Sequence, residues 1–147
     1  MGFEGFRSES ELVSIVASRL RECGFFVLRN FVVLGMEIDV VGVEFVGLDP
    51  YVYVFEVKRR PRNKLVKQLR KRMSVADYVY AVVPHYLYSW ALKRVDPWAG
   101  IAVVMGEELK VLRMGRYLGR GRRFIEATCL DGGGYPWCSY LGSGRGA

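Results

Sequence analysis

A single histidine, His85, stands in this chain of 147 residues, with one glutamine, one threonine and two asparagines. The chain has no Gly-x-x-x-x-Gly-Lys loop, no Gly-x-Gly-x-x-Gly after a strand, no paired Cys-x-x-Cys and no Ser/His/Asp order. These absences exclude P-loop nucleotide hydrolases, dinucleotide enzymes, structural zinc modules and histidine-dependent acyl transfer. No apolar run approaches the roughly 18 residues of a membrane span. Met1 to Arg7 lacks the long apolar stretch of a secretory signal, and three cysteines without metal-ligand spacing suit a reducing compartment, so a cytoplasmic protein is expected. The shortage of thermolabile amides is what a thermophilic source would give. Chemistry, where there is any, must run on carboxylates and lysine.

What the chain has is positive charge. Lys and Arg number 22 against 15 Asp and Glu, a net +7 and a pI near 9.5. Such a balance favours a polyanionic partner, with nucleic acid as the leading class. Half of the residues are apolar and a quarter charged, the composition of one folded domain.

Ser8 to Cys23 carries apolar residues at Leu12, Val13, Val16, Ala17 and Leu20, the spacing of one helical face, and Gly24 stands where that helix should stop. Three β-rich runs follow, Phe25 to Val33, Glu37 to Phe45 and Tyr51 to Arg59, separated by turn chemistry at Gly35 and at Gly47 to Pro50. The third is apolar on both faces and predicts a central strand. A second helix over Asn63 to Val75 follows from Leu65, Val66, Leu69 and Met73, and Tyr78 to Val83 is a strand. Tyr86 to Val95 is expected to be helical, with short strands at Ile101 to Met105 and Leu109 to Arg113. The order from Gly115 on is unassigned. These segments give an α/β domain over residues 1–130, with its core at 8–84, and a loose glycine-rich tail over 131–147.

One constellation fits the chemistry that remains. Glu56 and Lys58 are two apart in the central strand and share a face, while in the preceding strand Asp39 and Glu37 share one face and Ile38, Val40 and Gly42 the other. Carboxylates at the ends of adjacent strands can supply oxygen ligands to one hard cation. Lys58 beside them could orient or help deprotonate an attacking water and counter charge growing on a phosphate. An acid-x-Lys triplet alone means little, since about 0.6 is expected by chance from an ordinary composition. A second copy, Glu108-Leu109-Lys110, has no upstream acidic strand and predicts only an exposed hairpin. What distinguishes Glu56 and Lys58 is their place in an apolar strand, where charge is costly unless paired or metal-bound. In the first helix Glu9 falls on the core-facing stripe, and Glu11 on the far side as the fourth residue of a Ser8 capping box. Glu9 then either points toward the cation site or simply favours the positive helix end.

Glu9, Asp39 within Glu37-Ile38-Asp39-Val40-Val41-Gly42, and Glu56-Val57-Lys58 together resemble the PD-(D/E)xK restriction-endonuclease-like nuclease superfamily. The flavour is similar to archaeal Holliday-junction resolvases and to Mrr-like and RecB-like nucleases, over residues 8–84, with Ile38 where the nominal proline would be. The resemblance implies an αβββαβ core with a mixed sheet flanked by helices, and Mg²⁺ or Mn²⁺ held by Asp39, Glu56 and the Val57 carbonyl. It also implies Lys58 at the scissile phosphate and DNA as substrate, structure-specific cleavage and RNA being further possibilities. The alternative is a DNA- or RNA-binding protein that keeps the fold without catalysis; a homodimer is allowed and no membrane partner is expected. Gln68 resembles the glutamine that RecB-like nucleases place on the second helix facing the site, though Arg72 replaces the tyrosine expected four residues on.

Arg59, Arg60 and Arg62, followed by Lys64, Lys67 and Lys71 on one helical face, form a basic ridge next to this site, able to grip phosphates. Arg70 and Arg72 are expected on a solvated face. Arg116, Arg120, Arg122 and Arg123 form either a flexible arm over nucleic acid or a solvated loop. His85 is expected to start a helix, Cys129 and Cys138 to be buried or idle thiols, and Tyr135, Trp137 and Tyr140 to dock on the domain or on a partner.

Overall fold

Residues 5–130 and 132–139 are described by a computed structural model. The first helix, α1 (Glu9–Glu22), starts where Ser8 accepts a hydrogen bond from the Glu11 amide (3.1 Å), while the Glu11 carboxylate accepts from the Arg7 amide (2.7 Å). It ends in a Schellman turn: the Phe25 amide donates to the Leu20 carbonyl and the Gly24 amide to Arg21, with Gly24 at φ +93°.

Strands β1 (Phe26–Val33), β2 (Met36–Val46) and β3 (Asp49–Val57) form an antiparallel meander. Helix α2 (Lys64–Arg72) and a 3-10 turn then lead to β4 (Tyr78–Pro84), which pairs parallel with β3. After a 3-10 turn at His85–Leu87 and α3 (Tyr88–Arg94), β5 (Gly100–Met105) adds parallel to β4, and β6 (Glu108–Arg113) closes the edge antiparallel. The six strands lie in sequence order, so β3 and β4 are central. The αβββαβ order and the mixed sheet are those expected, and none of the helices among the described residues is long and apolar enough to cross a membrane.

Two apolar layers hold this sheet. Leu12, Val13, Val16 and Leu20 of α1 pack on Val40, Phe55, Val57 and Val82. The opposite face meets Leu65 and Leu69 of α2, Ala91 of α3 and Phe124 of α4 (Gly121–Leu130), packed over Val41, Val54, Ala81 and Ile101. Each fully buried large aliphatic side chain contributes roughly 1.5–3 kcal/mol, so α1 and α2 are each pinned by an apolar stripe. The strict alternation expected of β2 fails at one place. Ile38 packs with Val41 and Val43, in the layer opposite that of Val40. Across from this point Asn30 has φ +47°, between the paired residues Arg29 and Phe31, and that local twist breaks the two-residue period beside Asp39.

The C-terminal third departs most from expectation. Helix α4 has no clear periodic lead-in, and its start is set by Asp77, 44 residues away in sequence: the buried Asp77 carboxylate accepts from the Gly121 amide (3.0 Å) and the Val52 amide (2.8 Å). A side chain at position 121 would collide with that carboxylate. The preceding strap is fixed by main-chain bonds from Arg116 to Trp98 and from Leu118 to Asp77, so its exposed arginines sit on an ordered segment rather than a flexible arm.

Cys129 and Cys138 form a disulfide, correcting their reading as idle thiols and removing the cysteine-based support for a reducing compartment. Beside it Trp137 is fully buried, its indole N–H donating to Thr128 (2.8 Å) and its ring meeting Phe26 edge-on. This part of the tail is therefore packed against the domain; Tyr140 and the rest of the tail beyond it lie outside the described residues.

Replacing Asp77 by Ala leaves two amide donors, on β3 and on α4, without their acceptor. Urea denaturation should show a loss of about 2–4 kcal/mol, and Asp77→Asn should recover part of it.

Candidate active site at the ends of β2 and β3

The pairing of β2 with β3 ends at Val40 opposite Phe55. Beyond that pair a side chain takes over from the ladder: Asp39 Oδ2 accepts a hydrogen bond from the Val57 amide at 2.7 Å. The Asp39 carboxylate is thereby tied to the main chain between Glu56 and Lys58. On the other side the Lys58 amide donates to Val82 of β4 (2.9 Å), so the end of β3 is held from both flanks. Glu56 is 1% exposed and Lys58 6%, whereas Asp39 is half-buried.

Glu56 does not stand alone in the core. Its Oε2 accepts from Arg72 Nε at 3.1 Å, a pair in which both side chains are buried, and a terminal nitrogen of Arg72 donates to the Glu37 carbonyl (2.9 Å). Arg72 thus belongs to the site and not to a solvated helix face. The cause is the parallel crossover, which carries α2 back over the β3 end and turns its last turn inward. Arg70, two residues away, behaves as expected and pairs with Asp96 at the surface. Among the described residues Glu56 Oε1 is buried without a hydrogen-bond partner, and so is Oε1 of Gln68, one turn before Arg72 on α2.

Burial pushes the Glu56 carboxyl up to about 7; the neighbouring Asp39 charge adds to the rise and Arg72 opposes it. Asp39 is raised as well, first by burial, against the Val57 hydrogen bond and the Lys58 charge, with Glu9 adding to the rise. The two acids therefore sit close enough to resist ionising together.

Do these residues fit a divalent cation? Among the described residues no group of three or more His, Cys, Asp and Glu side chains converges on one point. Asp39 is near enough for its charge to act on Glu56, and carboxylate oxygens together with a main-chain carbonyl such as that of Val57 are hard donors of the kind Mg²⁺ or Mn²⁺ takes. The unpartnered Oε1 of Glu56 and the repulsion between the acids are what such an ion would relieve, so the donors fit.

A cavity of about 250 Å³ opens beside Lys58, with Ser8, Glu9, Arg59, Arg62 and Lys64 in its wall. Asp39 and Glu56 are not part of that wall. Glu9 Oε2 accepts from the Arg59 amide (3.2 Å), and Arg59 reaches back to the Phe6 carbonyl (3.2 Å), so Glu9 holds the start of the basic loop. Glu11 stays with its cap. Arg60, Arg62 and Lys64 are exposed around the opening, and Lys67 and Lys71 are exposed farther along α2. The structure thus gathers Glu9, Asp39, Glu56, Lys58 and the Arg59–Lys64 segment at one end of the sheet. Arg72 is the neighbour that the sequence pattern missed; its only signal was its place four residues after Gln68.

No protein-family model matches the chain, and no curated protein does. Among solved structures, a protein of unknown function from Silicibacter pomeroyi is similar at 18% identity with a TM-score of 0.62, over 90% of this chain and 88% of that one. This likeness is one of fold. A repair endonuclease from Pyrococcus abyssi aligns at 21% identity over 63% of this chain and 45% of that one, with a TM-score of 0.35, too slight a likeness to bear on function.

The electrostatics make a prediction for the metal-free protein. An acid whose folded pKa lies above its unfolded value stabilises the fold fully below about pH 4.5 and loses that contribution as pH rises through about 7. Glu56→Gln, which keeps the shape without ionising, should gain on the wild type across that window, by up to about 3 kcal/mol. Above it the difference should stay constant. Thermal melts at steps between pH 4 and 8 in EDTA measure this directly.

Proposed function

We propose that this chain is a metal-dependent nuclease that hydrolyses DNA phosphodiester bonds and selects its substrate by structure. The observation that carries the reading is the bond from the Val57 amide to Asp39, which brings one acid against the strand that bears the buried Glu56 and Lys58. Asp39, Glu56 and the Val57 carbonyl would hold Mg²⁺ or Mn²⁺. Bound there, the ion would supply Lewis acidity toward the phosphate and a lowered pKa for water. Lys58 orients the incoming water and offsets negative charge as the water oxygen bonds to phosphorus and the bond to the leaving oxygen breaks. Glu9 fixes the Arg59 backbone, Gln68 offers its buried oxygen on the facing helix, and Arg59, Arg60, Arg62, Lys64, Lys67 and Lys71 hold the flanking phosphates.

A second reading has its own observation. Arg72 already neutralises Glu56 without any metal, as it would in a DNA- or RNA-binding protein that keeps the fold and performs no chemistry. Cleavage assays on linear, nicked, flapped and four-way DNA with Mg²⁺, Mn²⁺ or EDTA separate the two. For a nuclease, Asp39→Ala and Lys58→Ala should each lower cleavage at least about 100-fold while DNA binding in EDTA changes little. Mn²⁺ should also raise the melting temperature of the wild type and not that of Asp39→Ala. Binding without cleavage or a Mn²⁺ effect would leave the non-catalytic reading standing.

The ridge has a separate signature. Each phosphate contact contributes about 0.9 to the slope of log affinity against log salt on duplex DNA, so neutralising Lys64, Lys67 and Lys71 together should flatten that slope by about two to three. Sequence preference should stay as it is.

A further inference from the structure

A larger groove, about 550 Å³, adjoins the Lys58 cavity, and the two share Arg59, Arg60 and Arg62 as a common wall. Across the groove stand Phe6 and Tyr86. Tyr86 is 48% exposed, lies in the short turn that follows β4, and meets His85 edge-on at 5.5 Å. Arg59 is committed to Glu9 and Phe6, so its place is fixed, while Arg60 and Arg62 are exposed. Among the described residues the charged side chains that line this groove are Arg59, Arg60 and Arg62, a positive wall that favours an anionic occupant.

We infer that the groove receives one unpaired nucleotide of the DNA, its base stacked on Tyr86 and its phosphates held by Arg60 and Arg62. Aromatic rings beside a basic track bind single-stranded nucleic acid because every base offers a π-face and every nucleotide a charge. The volume falls in the range of small-ligand sites and suits a single nucleotide. A base inside a duplex is stacked on both sides and cannot offer its face to Tyr86. The shared arginine wall therefore selects DNA in which an unpaired nucleotide adjoins the bond presented to Lys58, as at a flap, a frayed end or a junction. The inference deepens the nucleic-acid reading and rests on it.

The test uses the full chain in EDTA and a flapped duplex with 2-aminopurine at the first unpaired position, against a fully paired duplex of equal length. The wild type should prefer the flapped DNA roughly tenfold and quench the probe by stacking. Tyr86→Ala should lose most of the preference and the quenching while keeping its affinity for the paired duplex, and Tyr86→Phe should retain both. Equal affinity of the wild type for the two DNAs, or unchanged behaviour of Tyr86→Ala, overturns the groove assignment and leaves the ridge intact. Failure of the wild type to bind either DNA overturns the nucleic-acid reading and this inference with it.

Discussion

A carboxylate in the middle of an apolar sheet is the constraint to which this architecture answers. Glu56 lies between Phe55 and Val57 on a strand flanked by β2 and β4, with essentially no exposure to water. Left unpaired, an ionised group there would cost several kcal/mol, and it either keeps its proton or acquires positive partners. Both responses are visible. The carboxyl is pushed up to about 7, and Arg72 is drawn inward from α2 to meet it. Asp39 works the other way, since its own charge makes ionising Glu56 harder.

The topology explains how these groups come together. A parallel pairing of β3 with β4 requires the chain to cross the sheet, and α2 is that crossover. Its apolar stripe, Leu65 and Leu69, seats it on the sheet, and the same seating delivers Arg72 to the end of β3. Asp39 arrives by the antiparallel route through the β2–β3 hairpin. The loop of Arg59 to Arg62, exposed from Arg60 on, is a further consequence of the crossover, because the chain must leave the sheet right after Lys58. Acids, lysine and arginines are thus neighbours through one connection.

Much of this was legible in the sequence. The αβββαβ order and the central place of the third strand followed from periodicity and turn residues, and so did the position of Asp39 on the strand next to the one that carries Glu56 and Lys58. What escaped has physical causes. Arg72 lies at the end of a helix whose other cations are exposed, and nothing local shows that its partner is a buried acid 16 residues earlier. The start of α4 is set by Asp77, from another part of the chain, and the Cys129–Cys138 bond by the way that helix ends; both are long-range or geometric facts that a local pattern does not carry. The twist at Asn30 broke the alternation beside Asp39, which a two-residue period alone misplaces for Ile38.

The arginine on Glu56 neutralises it without a metal, and its bonding pattern is incomplete. Arg72 engages one carboxylate oxygen and the Glu37 carbonyl, and leaves the second oxygen of Glu56 buried and unpartnered. For a purely structural ion pair that open oxygen is a defect, because each buried acceptor without a donor costs roughly 1–3 kcal/mol. A pair built only for stability would be expected to turn both oxygens toward the guanidinium fork, the bidentate arrangement in which Arg binds carboxylates best. The single contact instead fits a carboxylate held in place by Arg72 with one oxygen kept for something else. Asp39 is near enough for its charge to oppose that of Glu56, and a cation shared by the two would offset both. On the nuclease reading proposed above, Arg72 orients Glu56 and does not take the place of an ion.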